Sequence, residues 1–500
     1  MNYIKYGHHI SYKNFLKITF IYILVFIPII LIRYPDIRNE IKYFVIADNM
    51  IETKNFLILK YFSELYPDKP PLYFWLFSFI KKYFGNNFIP LAAGLGSTLP
   101  SYLITVMSYS LFSKIKDEKT GFMISLILCT MPFFIGTSVF LRMDMMMSFF
   151  IFMALSHFFN IYYDFYKKTF INISAVYLFI FLGIFTKGIA GFIVPISIIF
   201  GFLILEKNIN FLKKIHFGKG ILSIIFLIGL WIYFIFLMPE GKNYISLMLG
   251  QETVGRIIKS KAHIQPFYYY FIRLPLLTFP YEIFLFGGII SYLKNMKHCS
   301  AWTPLEKIGF VWTVIPLILF SFASGKLDIY LLPVFPGITV TIYNFIIKIK
   351  DTEAWQKIIK ASMILSVLPL ILNKIFNKEN NFYKKIFMFP AAVIILFTGA
   401  GQCMKIYNEK FTLKPIKQII ETSGKNPLAY KFPDFKNMET ELKKSVALVS
   451  DKNEFINLEN FKNIIVISRI KYENDLKNIP DLKLIFRNKN YAVYLKKEKL

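Results

Sequence analysis

Apolar runs close to the length of a bilayer crossing recur along most of this chain, and that repetition limits the fold more than any single motif. By run length the candidate spans are 15–33, 87–113, 119–139, 143–163, 170–186, 188–205, 219–238, 267–294, 306–323, 331–349, 357–375 and 385–403. An apolar helix of about 20 residues crosses the ~30 Å hydrocarbon layer. About twelve such runs make a polytopic α-helical membrane protein. The first run follows a short basic head without a small-residue cleavage site, so it reads as an uncleaved span.

Charge follows the same frame. The chain carries 59 Lys and Arg against 31 Asp and Glu, a formal net charge of +28. Many of the cations fall in short loops, at 113–119, 167–168, 207–219, 294–298 and 348–350. There they act as inside-facing topology signals and as partners of anionic lipid, and no soluble basic fold is present to suggest nucleic acid. With those loops inside, 34–86, 140–144, the turn at Lys187, 239–266 and 324–330 lie outside, and they hold most of the polar residues that invite a chemical role.

The first outer loop, 34–86, is long enough to have structure of its own. Ile41, Phe44, Val45 and Ile51 fall on one helical face of 39–52. Another short helix is expected over 71–84, where "YPDKPPLYFWLFSF" runs from a proline corner into aromatic residues suited to the headgroup zone. After Cys403 the apolar runs give way to a charged tail, 404–500, with short alternating stretches "SVALVS", "NIIVIS", "LKLIF" and "YAVYL". These predict the strands of a small α/β domain beside a transmembrane domain over 1–403. Twelve spans put that tail inside and thirteen put it outside, so hydropathy leaves its side open.

Several ionisable residues in the outer loops are candidates for chemistry. Glu40 begins the first loop helix, where a carboxylate is favoured by the helix dipole whether or not it has a role. Asp144 begins an apolar span, a costly position for a charge unless it is paired or functional, and Arg142 is its nearest cation. Lys69, Lys187, Arg256 and Lys326, with Tyr330, lie on the outer side against the usual bias of positive charge. Singly each reads as a snorkelling interfacial residue; as a set they suit a phosphate anion, which Arg binds bidentately and Lys as a point charge. Asp68 and His263 have metal-ligand chemistry, although two such residues from distant loops are weak evidence and a histidine that only hydrogen-bonds is the better account of His263. The three cysteines form no CxxC motif or disulfide framework, and the sequence shows neither a Gly-rich phosphate loop nor a nucleophile elbow.

The stretches "NEIKYFVIADNM", "DKPPLYFWL", "RMDMMMSFF", "TKGIAGFIVP", "QETVGRIIKSKAHIQPFYYY" and "SGKLDIYLLPVFP" occur in an order that resembles the GT-C family of lipid-phosphate-dependent glycosyltransferases. The resemblance covers about residues 15–340 and is nearest to bacterial lipid A aminoarabinose transferases, with protein O-mannosyltransferases more distant. It implies a GT-C fold of 12–13 spans in the bacterial inner membrane, with a periplasmic active site. The implied reaction is an inverting transfer from a polyprenyl-phosphate sugar to a lipid or protein acceptor, with no required cofactor beyond an optional divalent metal at Asp68 and His263. Glu40 and Asn39 match the family's acidic pair, Asn39 standing where Asp is usual. Asp144 matches a second acidic position, and Lys69, Arg256, Lys326 and Tyr330 match the positions expected to hold phosphate. A flippase of a lipid-linked saccharide is the rival of another class, but it should show pseudo-symmetric halves and broken helices with charges at the midplane. A scaffold protein would leave the ordered motifs unexplained.

Overall fold

A computed structural model describes residues 11–85, 88–250, 263–376, 381–451, 463–477, 479 and 482–496. Seven of its helices are long and apolar enough to cross a membrane: Tyr12–Ile32, Ile89–Ile115, Met143–Tyr162, Phe170–Lys187, Phe217–Phe236, Pro304–Phe322 and Asp328–Lys350. Three bent pairs raise the number to ten if each pair is one crossing. The architecture is therefore the polytopic helical type expected, but several runs are not straight rods. The run 119–139 bends by 67° between Cys129 and Pro132, and 357–375 turns by 118°. Proline explains the first bend, because Pro132 starts the second helix and cannot donate to the turn before it. At the second, Val367 takes a left-handed φ of 55°.

The run 267–294 is corrected in kind. It forms two helices, Tyr269–Thr278 and Glu282–Lys294, separated at the cis Phe279–Pro280 bond. Ala190–Leu205 is apolar throughout but only 16 residues long.

By contacts the chain divides into two compact units. One contains Met1–Ile27, Asn55–Leu59 and Leu65–Thr398; the other contains Pro28–Lys54, Lys60–Glu64 and Gly399–Leu500. In the first, the membrane unit, helix Met143–Tyr162 is the central element: its apolar positions Ile151, Phe152, Leu155, Phe158 and Phe159 are buried. Phe217–Phe236 is the opposite case, with Leu222, Ile225 and Phe226 largely exposed, as suits a helix whose solvent is lipid. The proline corner starts helix Leu72–Phe84 as expected. Its aromatics divide by face, however: Tyr73, Phe74 and Phe77 are buried inward, while Phe79, Tyr83 and Phe84 are exposed.

In the second unit, helix Glu40–Thr53 belongs with the tail. The tail sheet has five strands, in the order Ala447–Val449, Asn426–Tyr430, Ile464–Arg469, Tyr491–Lys496, Leu482–Arg487. The first two pairings are parallel and the last two antiparallel. Helix Lys414–Ser423 lays Ile416 and Ile420 on this sheet, in one core with Ile37 of the first loop. Polar contacts seal the join: the Asn437 side chain donates to the Ile37 carbonyl at 2.9 Å, and the Tyr34 amide donates to Asn408 at 3.0 Å. Segments that share a core lie on one side of a bilayer. The tail is therefore on the side of the first loop.

Candidate active site

Lys187 sits at the tip of a tight reversal in the membrane unit, and two glycines make that reversal possible. Gly188 takes φ 98°, a conformation that a side chain opposes. Gly191 approaches Gly183 so closely that an added Cβ would lie 2.2 Å from the Gly183 carbonyl carbon. The helices Phe170–Lys187 and Ala190–Leu205 can thus cross in contact and present Lys187 at their end.

The Lys187 ammonium forms an ion pair with Asp144, at the start of Met143–Tyr162. Asp144 is 2% exposed, and the lysine lies over the Tyr330 ring at 4.6 Å from its centroid. Two residues that the sequence offered to different roles are therefore one cluster. Asp144 is paired with a lysine 43 positions away, and Arg142 is not its ion-pair partner.

Lys326 is fixed by the backbone. Its side chain donates to the Gln265 and Ala323 carbonyls, the first at 2.8 Å, and its amide donates to the His263 carbonyl at 2.9 Å. Burial lowers its pKa from the ordinary lysine value. Beside it, Asp328 accepts from Arg273 Nε at 3.0 Å and from Arg273 Nη2 at 2.5 Å, and from the Tyr269 hydroxyl at 2.8 Å. Arg273 and Asp328 were not singled out from the sequence, although "YYFIRLP" and "GKLDIY" each place a charge among apolar residues, which is the signal that would have found them.

The remaining residues are distributed as follows. The Lys69 ammonium donates to the Asp68 carbonyl at 2.9 Å, and the corner is tied down where the Tyr244 hydroxyl donates to the Tyr66 carbonyl at 3.1 Å. His263 is exposed and forms no ion pair with Asp68; among the described residues no group of three His, Cys, Asp or Glu side chains could hold a metal ion. Arg256 lies outside the described residues.

Glu40 and Asn39 belong to the other unit. Glu40 is 2% exposed, forms an ion pair with the buried Arg33, and accepts the Asp36 amide at 2.7 Å. Asn39 donates to Asp36 from its amide, at 2.8 Å, and from its side chain, at 3.1 Å. Asp36 is thus the carboxylate that orders the start of this helix, and the sequence reading passed over it.

The family described as dolichyl-phosphate-mannose-protein mannosyltransferase matches residues 68–234, about a third of the chain. An uncharacterized protein of Aquifex aeolicus is 26% identical over 70% of this chain and 68% of its own length. The undecaprenyl phosphate-alpha-4-amino-4-deoxy-L-arabinose arabinosyl transferase of Wigglesworthia glossinidia brevipalpis is 27% identical over 70% of this chain. The transferase of the same description from Photorhabdus laumondii is 26% identical over 63%. The chain spans 62% and 55% of the lengths of these two relatives. In three dimensions it is similar to ArnT of Cupriavidus metallidurans bound to undecaprenyl phosphate: the TM-score is 0.73 at 14% identity, over 96% of this chain and 97% of the other.

Proposed function

We propose that this chain is an integral-membrane glycosyltransferase that moves a sugar from a polyprenyl phosphate, of the undecaprenyl type, to a cell-envelope acceptor such as lipid A on the periplasmic face. The observation that carries the reading is the Asp144–Lys187–Tyr330 cluster, a buried carboxylate and cation at the end of two spanning helices. The names of the arabinosyl transferase relatives and the fold shared with the ArnT complex support the choice of donor.

The chemistry follows from the bond broken. The sugar's anomeric carbon is joined to phosphate, so the leaving group is an anion, and fixed cations stabilise the charge that develops on it. Lys69, Lys326 and Arg256 are assigned to that phosphate, and Lys187 with Tyr330 to the same charge at the buried end. The acceptor attacks the sugar face opposite the departing phosphate, which inverts the anomeric centre in one displacement. Where the acceptor is a hydroxyl, Asp144 takes its proton. A lipid A phosphate is already an anion, and Asp144 then orients the substrate. Glu40, committed to Arg33 and the Asp36 amide, shapes the first loop. No step calls for a cofactor, and the phosphoester supplies the driving force.

The test is product analysis by mass spectrometry. The purified full chain is incubated with undecaprenyl-phosphate sugars and with lipid A or peptide acceptors. Transfer to lipid A that is lost in Lys187→Met and Lys69→Ala supports the proposal. Transfer only to peptide replaces the acceptor with protein. Lack of transfer from every donor, together with an unchanged cellular phenotype in both variants, overturns it.

A further inference from the structure

At the other end of the membrane unit, three helices close around a cavity of about 170 Å³. They are Glu118–Cys129, Phe335–Lys350 and Phe382–Thr398. Its polar rim carries Lys116, Asp117 and Lys119 with Tyr343 and Tyr383, and its apolar wall includes Met123 and Ile386.

The lysines are held by aromatic rings. Lys119 Nζ lies 3.4 Å from the Tyr383 centroid, Lys350 Nζ lies 5.3 Å from the same centroid, and Lys116 Nζ lies 5.4 Å from that of Tyr343. Tyr343 is fixed in turn by a 2.7 Å hydrogen bond between its hydroxyl and that of Thr120. Among the described residues none of the three ammonium groups has a carboxylate within ion-pair distance. Asp117, the carboxylate of the rim, caps the helix instead by accepting the Thr120 amide at 2.7 Å. With Lys350 beside Tyr383, the three lysines outnumber Asp117 and leave the rim with a net charge of about +2.

The position of the cavity excludes a part in sugar transfer. Lys114, two residues before Lys116, donates to Asn160 at 3.4 Å. Asn160 and Asp144 are on the same helix, Met143–Tyr162. Sixteen residues of helix separate them, which at 1.5 Å per residue is about 24 Å, most of the hydrocarbon thickness. The cavity therefore opens at the opposite membrane face from the Asp144–Lys187 cluster.

We propose that this cavity binds the phosphate of an anionic phospholipid in the inner leaflet, with Lys116, Lys119 and Lys350 around the headgroup. Basic pockets between spanning helices on the cytoplasmic side have the charge and shape for such headgroups. The apolar wall favours a lipid over free phosphate, because Met123, Ile346, Ile347 and Ile386 offer a surface to glycerol and the first acyl carbons.

Native mass spectrometry of the purified full chain with added phosphatidylglycerol or phosphatidylcholine tests the proposal. Phosphatidylglycerol is expected to be retained in preference, and each of Lys116→Gln, Lys119→Gln and Lys350→Gln is expected to weaken it roughly fivefold. A triple Lys→Arg variant keeps the charge and should retain the lipid, which separates loss of the site from loss of the fold. Millimolar inorganic phosphate should leave the lipid bound; its displacement of the lipid assigns a free-phosphate site and overturns the lipid reading. Equal retention of both lipids, or no weakening in any Lys→Gln variant, overturns the site. Sugar transfer is not part of the readout, so the result is independent of the proposed reaction.

Discussion

Two buried carboxylate–cation pairs, one in each unit, show how the same interaction serves different ends. Arg33 and Glu40 are seven residues apart, with side-chain exposures of 1% and 2%, and Glu40 also holds a backbone amide. Asp144 and Lys187 are 43 residues apart, the lysine side chain keeps 14% exposure, and its other neighbour is the face of a tyrosine ring. The first pair is sealed into the entry of a helix. The second has a cation that can exchange part of its environment for a ligand. A carboxylate near a membrane boundary is thus informative only once its partner is known.

Breaking the pairs should separate these roles. The largest effect is expected from Arg33→Met, which leaves Glu40 buried without its cation. About 3–5 kcal/mol of stability should be lost from the loop-and-tail unit, read by thermal unfolding or limited proteolysis, and Arg33→Met with Glu40→Leu should recover most of it. Equal losses in the single and double variants would show that the pair is not the stabilising element. Lys187→Met should instead lower kcat roughly 10²–10³-fold, about 2.7–4 kcal/mol of transition-state stabilisation, with a smaller change in unfolding temperature. A fall in stability that accounts for the whole loss of activity would make Lys187 structural.

The third test uses pH. Burial lowers the Lys326 pKa, so in the donor-free protein this side chain loses its proton at a lower pH than an ordinary lysine. Affinity for the anionic donor should accordingly be full at neutral pH and fall as pH rises through the lowered value. In Lys326→Arg that alkaline fall should disappear, as titration of binding against pH would show. The smallest effect is expected at the turn that presents Lys187. Gly188→Ala places a side chain at φ 98° and should cost about 1–2 kcal/mol, seen as a lower unfolding temperature and partial loss of transfer.

Most spans were legible because hydrocarbon selects long apolar runs directly. The bends were less so: Pro132 and Val367 redirect helices whose hydropathy is unbroken. The proline corner at 66–71 was legible as a helix start because proline restricts its own backbone locally. Strand Asn426–Tyr430 escaped notice for the opposite reason. It pairs on both edges and is buried from Pro427 onward, so "NPLAY" shows no alternation to read. The pairing of Asp144 with Lys187 was equally silent, since both were visible as unusual charges but only the Gly183–Gly191 crossing brings the lysine to the end of its helix. The role of Asn437 in holding the first loop depends on a chain separation of 400 residues, beyond any local pattern.

That last separation has a consequence for biogenesis. Ile37 emerges from the ribosome well before the residues that cover it, from Leu413 to Val493. At roughly 5–20 residues per second, the loop waits on the order of 20–80 s for its cover. Until the tail has been made, the Arg33–Glu40 helix entry stands without its cover. Synthesis of the strands and helices that cover Ile37, and not of the first loop itself, is therefore the step that completes this unit.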